Sequence, residues 1–349
     1  VIEESRNLNR KKMVRVGLAA SAVVAALAYF FVVVPRIIYA SAGVRTKTVA
    51  LDFGDLDGAV VVDVGKGCEN LCLEPASRRA YVTDGWGNVH LVDGPSREAL
   101  RVVKSAKVGD GKACGIDRGP GGFLYVAACD DDWLGRGGGI FKVNRGLESA
   151  EKIAGDYPGL NGLVLDGRGD LYFAAGNMSF VNGKGAIYKM RRRTGGDYRE
   201  PRIFLSDLRC VDGMYYDVRA DRIRFTETFC GVSTFKPGFM AVTRVLGKTA
   251  AFDFCDDLCT DASGNYWLAD PGGFLKCYNA EKRELTRYKI KGCGRPSSCR
   301  IRLEDGEEII YVTELKRSRG FLGYLSKKRD GRGVVVIPLK ALRELEGRG

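Results

Sequence analysis

Apolar and polar positions alternate along most of this chain in short runs, each run stopping at an Asp, Asn or Gly, and one run-turn-run unit returns six times. Alternation with a period of two marks a half-buried strand, and a Gly- or Asp-rich break between two such runs reads as a hairpin. The clearest copies lie at 161–174, turning at Asp166-Gly167-Arg168-Gly169-Asp170, and at 256–269, turning at Asp261-Ala262-Ser263-Gly264-Asn265. The first polar or Cys position of each copy falls at Glu69, Cys114, Asn161, Asp212, Asp256 and Cys299, at intervals of 45, 47, 51, 44 and 43 residues. Further strands follow within the units, as at 139–144 and 185–190. A period in the forties marks a repeat architecture, and three or four strands per repeat is a propeller blade.

The pattern therefore predicts an all-β, six-bladed β-propeller from about Thr48 to the end of the chain. Helical periodicity is scarce and 46 Gly residues supply turns, which favours this over an α/β fold. The apolar runs at 58–63 and 333–339 are the expected partners in closing the ring, which leaves no long free edge.

A segment of another kind precedes the propeller. Residues 16–34 contain no charge, a length sufficient to cross a bilayer core of roughly 30 Å at ~1.5 Å per residue. Arg6, Arg10, Lys11, Lys12 and Arg15 lie before it and only Arg36, Arg45 and Lys47 soon after, so the positive-inside rule puts the N-terminus in the cytoplasm. The expected organisation is a basic tail over 1–15, a transmembrane anchor over 16–34, a linker over 35–47 and the propeller over 48–349. That organisation is the one expected of a single-pass type II membrane protein with a lumenal or extracellular propeller. A cleaved signal peptide ending near Ala40-Ser41-Ala42, giving a secreted protein, is the alternative. Eleven Cys residues suit a compartment where disulfides persist, and Asn177-Met178-Ser179 is an acceptor for an N-linked glycan.

The formal net charge of +12 raises a nucleic-acid reading, with Arg191-Arg192-Arg193 and Lys327-Lys328-Arg329 as its runs. Neither run is interleaved with aromatics, so both read as solvated loops and no nucleic-acid partner is expected. Attraction to an anionic membrane surface is the modest remainder.

Candidate chemistry follows from the fold. The innermost strands of a propeller begin around one mouth, so Glu69, Asn161, Asp212 and Asp256 are expected to converge although they are far apart in sequence. Carboxylates with an amide oxygen suit Ca²⁺ or another divalent cation, and without a cation they would repel one another. Asp130-Asp131-Asp132-Trp133 would frame the same mouth. Zinc is disfavoured: His90 is the only His, and the pairs Cys68/Cys72 and Cys255/Cys259 read as equivalent blade positions. With one His and no G-x-S-x-G, the usual nucleophile machinery is not expected.

The stretches 205–214, with Asp212-Gly213 opening blade four, 255–259 around Asp256, and Gly67-Cys68-Glu69 resemble elements of a superfamily of six-bladed propellers. It includes regucalcin, the gluconolactonases, strictosidine-synthase-like proteins and paraoxonases, and the resemblance covers roughly 61–325. It implies that Glu69, Asp212 and Asp256 bind the divalent ion, that Asn161 contacts metal or substrate, and that Asp257 stands where paraoxonases have a further amide ligand. Asp212 departs from the family's Asn, adding a negative charge. Cys114-Gly115-Ile116 stands where paraoxonases carry a His-Gly-Ile implicated in hydrolysis, which leaves Cys114 as a substrate contact. Membrane-anchored members share the layout of basic tail, single span and propeller.

The expected function is a calcium-dependent hydrolase of lactones or aryl esters, in which the ion polarises the carbonyl and Asp256 serves as general base. The substrate is then a small lactone or ester, with Asn161, Cys114 and Asp257 contacting it. The alternatives are a non-catalytic binding module with a structural calcium ion and, behind it, a strictosidine-synthase-type condensing enzyme whose late Glu would be Glu314.

Overall fold

The computed structural model describes residues 43–65, 67–75, 77–129, 138–176, 183–228, 230–247, 254–315 and 333–346. The expected anchor over 16–34, the sequon at Asn177, the 130–133 run and the 327–329 run lie outside them. Among the described residues no helix is long and apolar enough to cross a membrane.

The blades form as the alternation predicts. Six sheets make six blades, and their innermost strands are Cys68–Leu73, Ala113–Arg118, Leu163–Leu165, Val211–Asp217, Asp257–Thr260 and Pro296–Glu304. Each is followed by antiparallel neighbours running outward, so odd and even strands of a blade point to opposite faces of the disc. The predicted hairpins form with local support: in blade three Asp166 Oδ1 accepts from the Arg168 and Asp170 amides at 3.0 and 2.9 Å, and Gly169 takes a positive φ of 80°.

The ring closes through the two expected runs, with Val60–Asp63 completing blade six against Gly333–Pro338, Val60 opposite Val336. An earlier strand, Arg45–Asp52, lies parallel to the outer strand of blade five, Glu284–Lys291, and makes that blade five-stranded. After Pro338 the chain turns into a helix, Leu339–Glu346, which alternation did not predict. Its buried Leu339 and Leu342 join the apolar cluster between blades five and six, and Arg343 reaches Asp261 at 3.0 Å in blade five.

Apolar side chains collect in six clusters, one in each gap between neighbouring blades. Between blades five and six, fully buried Trp267 stacks on Tyr288 at 5.7 Å, each such side chain contributing about 1.5–3 kcal/mol by leaving water. The cysteine count led to an expectation of disulfides that the structure corrects, since none of the eleven cysteines is bridged. The cysteines recur because the blades repeat: Cys72 and Cys259 fill corresponding small apolar positions in different inter-blade clusters, not facing positions of one bridge.

Candidate active site

The residues expected at the mouth are held there by their own backbone. In blades one, four and six, a Thr on the second strand accepts the amide next after the mouth residue and donates onward to the mouth residue of the next blade. Thr83 accepts from the Asn70 amide at 3.0 Å and donates to the Cys114 carbonyl at 2.8 Å; Thr226 accepts from Gly213 at 2.9 Å and donates to the Asp256 carbonyl at 2.7 Å; Thr313 accepts from Ser298 at 2.8 Å and donates to the Glu69 carbonyl at 3.2 Å. This clasp stitches neighbouring blades where the axis crowds them. Crowding also explains the glycine after Asn161, because a Cβ at Gly162 would collide with the Asp212 carbonyl oxygen.

The same clasp fixes the register of blade six. Ser298 stands where blade one has Asn70 and blade four has Gly213, so the mouth residue of blade six is Ser297, two positions before the Cys299 that spacing selected. Ser297 Oγ donates to Asp256 Oδ2 at 2.7 Å. Cys299 is fully buried with its sulfur 3.7 Å from that of Cys259.

Three acids form the electrostatic centre. Asp256 and Asp212 share a hydrogen bond, and Thr228 Oγ1 holds Asp212 Oδ2 at 2.7 Å. Burial pushes Asp256 well above the usual carboxylate range and the adjacent Asp212 pushes it further, so the two carboxyls share a proton and titrate as one unit. Burial also raises Asp212, opposed by its bonds to Asp256 and Thr228 and assisted by the charges of Asp257 and Glu69. Glu69 completes the group, with the Lys112 ammonium 3.2 Å from its Oε1. Lys112 is half exposed at the mouth, and sequence reasoning missed it because its partner lies on the neighbouring blade.

Below them Asp257 Oδ2 is committed to Arg300 Nη1 at 2.6 Å and to Ser298 Oγ, and Arg300 also donates to the carbonyls of Leu258 and Met214. The other oxygen, Asp257 Oδ1, is buried without a hydrogen-bond partner among the described residues. Asn161 sits at the mouth with its carbonyl accepting the Gly115 amide at 3.0 Å. Cys114 opens blade two, but its buried sulfur lies 3.7 Å from that of Cys129.

Oxygen-only donors, a carboxyl pair raised by burial and mutual repulsion, and an orphaned buried carboxylate oxygen together fit a hard cation better than a soft one. No three acidic, His or Cys side chains among the described residues already converge as a metal-holding group. Two local bonds occupy the acids instead: the shared proton and the Lys112 ammonium.

His90 is engaged elsewhere, with Nε2 3.0 Å from Asp84 Oδ2 and Nδ1 2.7 Å from Ser105 Oγ. Asp84, brought down to about 2 by bonds to His90, Asn88 and Trp86 that outweigh its burial, is an ionised acceptor. Nε2 of His90 therefore donates to Asp84. The order Ser-His-Asp is present, but Ser105 lies on the outer strand of blade one and lines none of the cavities found among the described residues. Glu314 is buried at the end of the second strand of blade six, where it accepts the Gly294 amide.

No protein-family model matches the chain, and no curated protein matches it in sequence. Solved structures do share its fold. A regucalcin from Agrobacterium tumefaciens str. C58, described as a calcium-binding protein, superposes with a TM-score of 0.60 at 14% identity, covering 84% of this chain and 95% of its own. A gluconolactonase from Xanthomonas campestris superposes with a TM-score of 0.54 at 12% identity, covering 78% of this chain and 86% of its own. The likeness is one of fold: the chain is a six-bladed β-propeller of the shape shared by these two proteins.

Proposed function

We propose that the protein is a calcium-dependent hydrolase of lactones or aryl esters. The observation that carries this reading is the acid group at the mouth, where the buried Asp256 and Asp212 carboxyls share a hydrogen bond beside Glu69. Buried like charges are costly unless a proton or a cation neutralises them. Glu69, Asn161, Asp212 and Asp256 would hold the ion, which when bound supplies polarisation of a carbonyl and stabilisation of the developing oxyanion. The chain's own groups do the rest. Ser297 and Thr228 orient the two Asp carboxyls. Asp256, once the pair gives up the shared proton, takes one from water as general base, a task suited to a carboxyl raised above its ordinary range. Asn161, Cys114 and Asp257 are the proposed substrate contacts, Asp257 through its uncommitted Oδ1. The test is turnover on a panel of lactones and aryl esters with and without calcium; Asp256→Asn is expected to lower it by about 100-fold or more.

The second reading is a non-catalytic binding module. Lys112 favours it, since its ammonium already neutralises Glu69. Calcium binding with no turnover on any panel member would move the account there.

The location proposed is that of a type II membrane protein anchored by 16–34, with Asn177 glycosylated. Its support is the uncharged segment and the course of the next strand: Arg45–Asp52 starts beside Arg283, at the face opposite the mouth. The mouth then points away from the membrane. Alkaline carbonate extraction of the full chain tests the anchor, and release into the supernatant would contradict it.

A further inference from the structure

The sulfurs of Cys114 and Cys129, and those of Cys259 and Cys299, approach to 3.7 Å, and the two pairs differ in what surrounds them. Cys259 and Cys299 are sealed between blades five and six, where the Cys299 thiol also donates to the Trp267 carbonyl at 3.4 Å. Cys114 and Cys129 lie at the mouth end of blade two. Ala113 pairs with Ala128 across the ladder, and the Cys129 amide donates to the Lys112 carbonyl at 2.8 Å, so the two sulfurs face each other diagonally across a bulge. Cys129 lines a surface cavity of about 260 Å³ together with Gly109, Gly138, Lys107 and Lys152. The two glycines keep its walls bare: a Cβ at Gly138 would stand 2.7 Å from the Cys129 Cα.

We propose that Cys114 and Cys129 are an oxidisable dithiol, a redox-modification site at the rim of the channel whose oxidant is a hydroperoxide. A disulfide needs sulfurs about 2.05 Å apart, so the gap to close is roughly 1.7 Å, within the give of two side chains on a bulged ladder. Cys129 is the attacking sulfur. It is the residue of the pair that lines the cavity, through which a hydroperoxide would reach it, and the Lys112 charge favours its thiolate. Two further lysines line the approach. The Cys129 thiolate attacks the peroxide, an S–O bond forms as the O–O bond breaks, and the departing oxygen takes a proton. Cys114 then attacks the Cys129 sulfenic acid: the S–S bond forms, the S–O bond breaks and water leaves with the Cys114 proton. Overall two thiols lose two electrons to one hydroperoxide, which becomes an alcohol or water with a second water released.

The bond would join the opening of the innermost strand of blade two to its neighbour, two residues from the Lys112 that pairs with Glu69. The inference does not depend on calcium or on hydrolysis. It is tested by treating the full chain with hydrogen peroxide, blocking remaining thiols with iodoacetamide under denaturing conditions and mapping the peptides by mass. The expected result is a Cys114–Cys129 linked peptide, formed at least tenfold faster than any Cys259–Cys299 link. In Cys114→Ser, Cys129 should stop at a sulfenic acid that dimedone traps. Alkylation of both Cys114 and Cys129 after treatment, or linkage of the sealed pair at an equal rate, would overturn the proposal.

Discussion

Two innermost strands carry an Asp at each end, and the two ends are built on opposite principles. In blade four the pair is Asp212 and Asp217; in blade five it is Asp256 and Asp261, one at the start of the strand and one in the turn beyond it. At the far end both of these carboxylates have their partners. Asp217 receives Arg224 at 2.7 Å and the amides of Arg219 and Ala220, while Asp261 receives Asn265, the Trp267 indole at 3.0 Å and Arg343. At the mouth Asp212 and Asp256 have two hydroxyls and each other. Equal residues in equal blades thus hold turns together at one end and leave charge unsettled at the other. Only the unsettled end has work for a cation.

The difference has a sign that pH reads. Burial pushes Asp217 upward, but Arg224 outweighs it and holds the group below the ordinary carboxylate range. Its contribution to stability is therefore present above an unfolded pKa of about 4 and lost as pH falls. Asp212 and Asp256 are raised, so above pH ~4 the folded state binds more protons than the unfolded one, and their contribution is lost as pH rises. In calcium-free buffer, chemical denaturation of the parent should show the mouth weakening the fold toward neutral pH, and Asp256→Asn should flatten that slope.

The largest single effect belongs to the far end. Arg224→Ala leaves Asp217 buried without its ion-pair partner and should cost roughly 3 kcal/mol in urea unfolding. A loss well under 1 kcal/mol would mean that the far-end pairs contribute little. Glu69→Gln should leave folding intact and weaken calcium by about tenfold or more, read by titration, because one of the few formal charges facing the ion is gone. Lys112→Gln should act in the opposite direction. Removing the half-exposed ammonium that competes for Glu69 should tighten calcium about threefold to fivefold, a modest change as expected for a screened pair. Weaker binding in that variant would show Lys112 to be part of the site. The smallest effect is expected at Ser105→Ala, which should leave esterase turnover unchanged if the outer His90 relay is structural.

Much of the fold was legible because alternation and turn chemistry are local: the blade count, the hairpins at Asp166 and Asp261, and the closing pair of runs all follow from residues a few positions apart. What was not legible depends on contacts between blades. Arg45–Asp52 reads as any short strand, and only the closed ring gives it the edge of blade five. The helix after Pro338 is eight residues long and is held by Tyr288, Lys47 and Asp261, which no linear pattern links to it. At the site, spacing brought out Glu69, Asp212 and Asp256, whose charges act on one another. It selected Cys299 over Ser297 because a repeat with intervals from 43 to 51 residues fixes a blade but not its register. The Thr clasp carries the register, and Thr83, Thr226 and Thr313 were visible in the sequence as a recurring residue of the second strand.

The central claim is that the mouth exchanges its shared proton for a cation. Calorimetric calcium titration of the full chain at several pH values, with Asp256→Asn beside the parent, tests this most directly. The account predicts one site, a proton released to buffer on binding, affinity rising with pH by up to about tenfold per unit while Asp256 titrates, and loss of the site in the variant. No binding at any pH, or binding that neither pH nor Asp256→Asn affects, would contradict it.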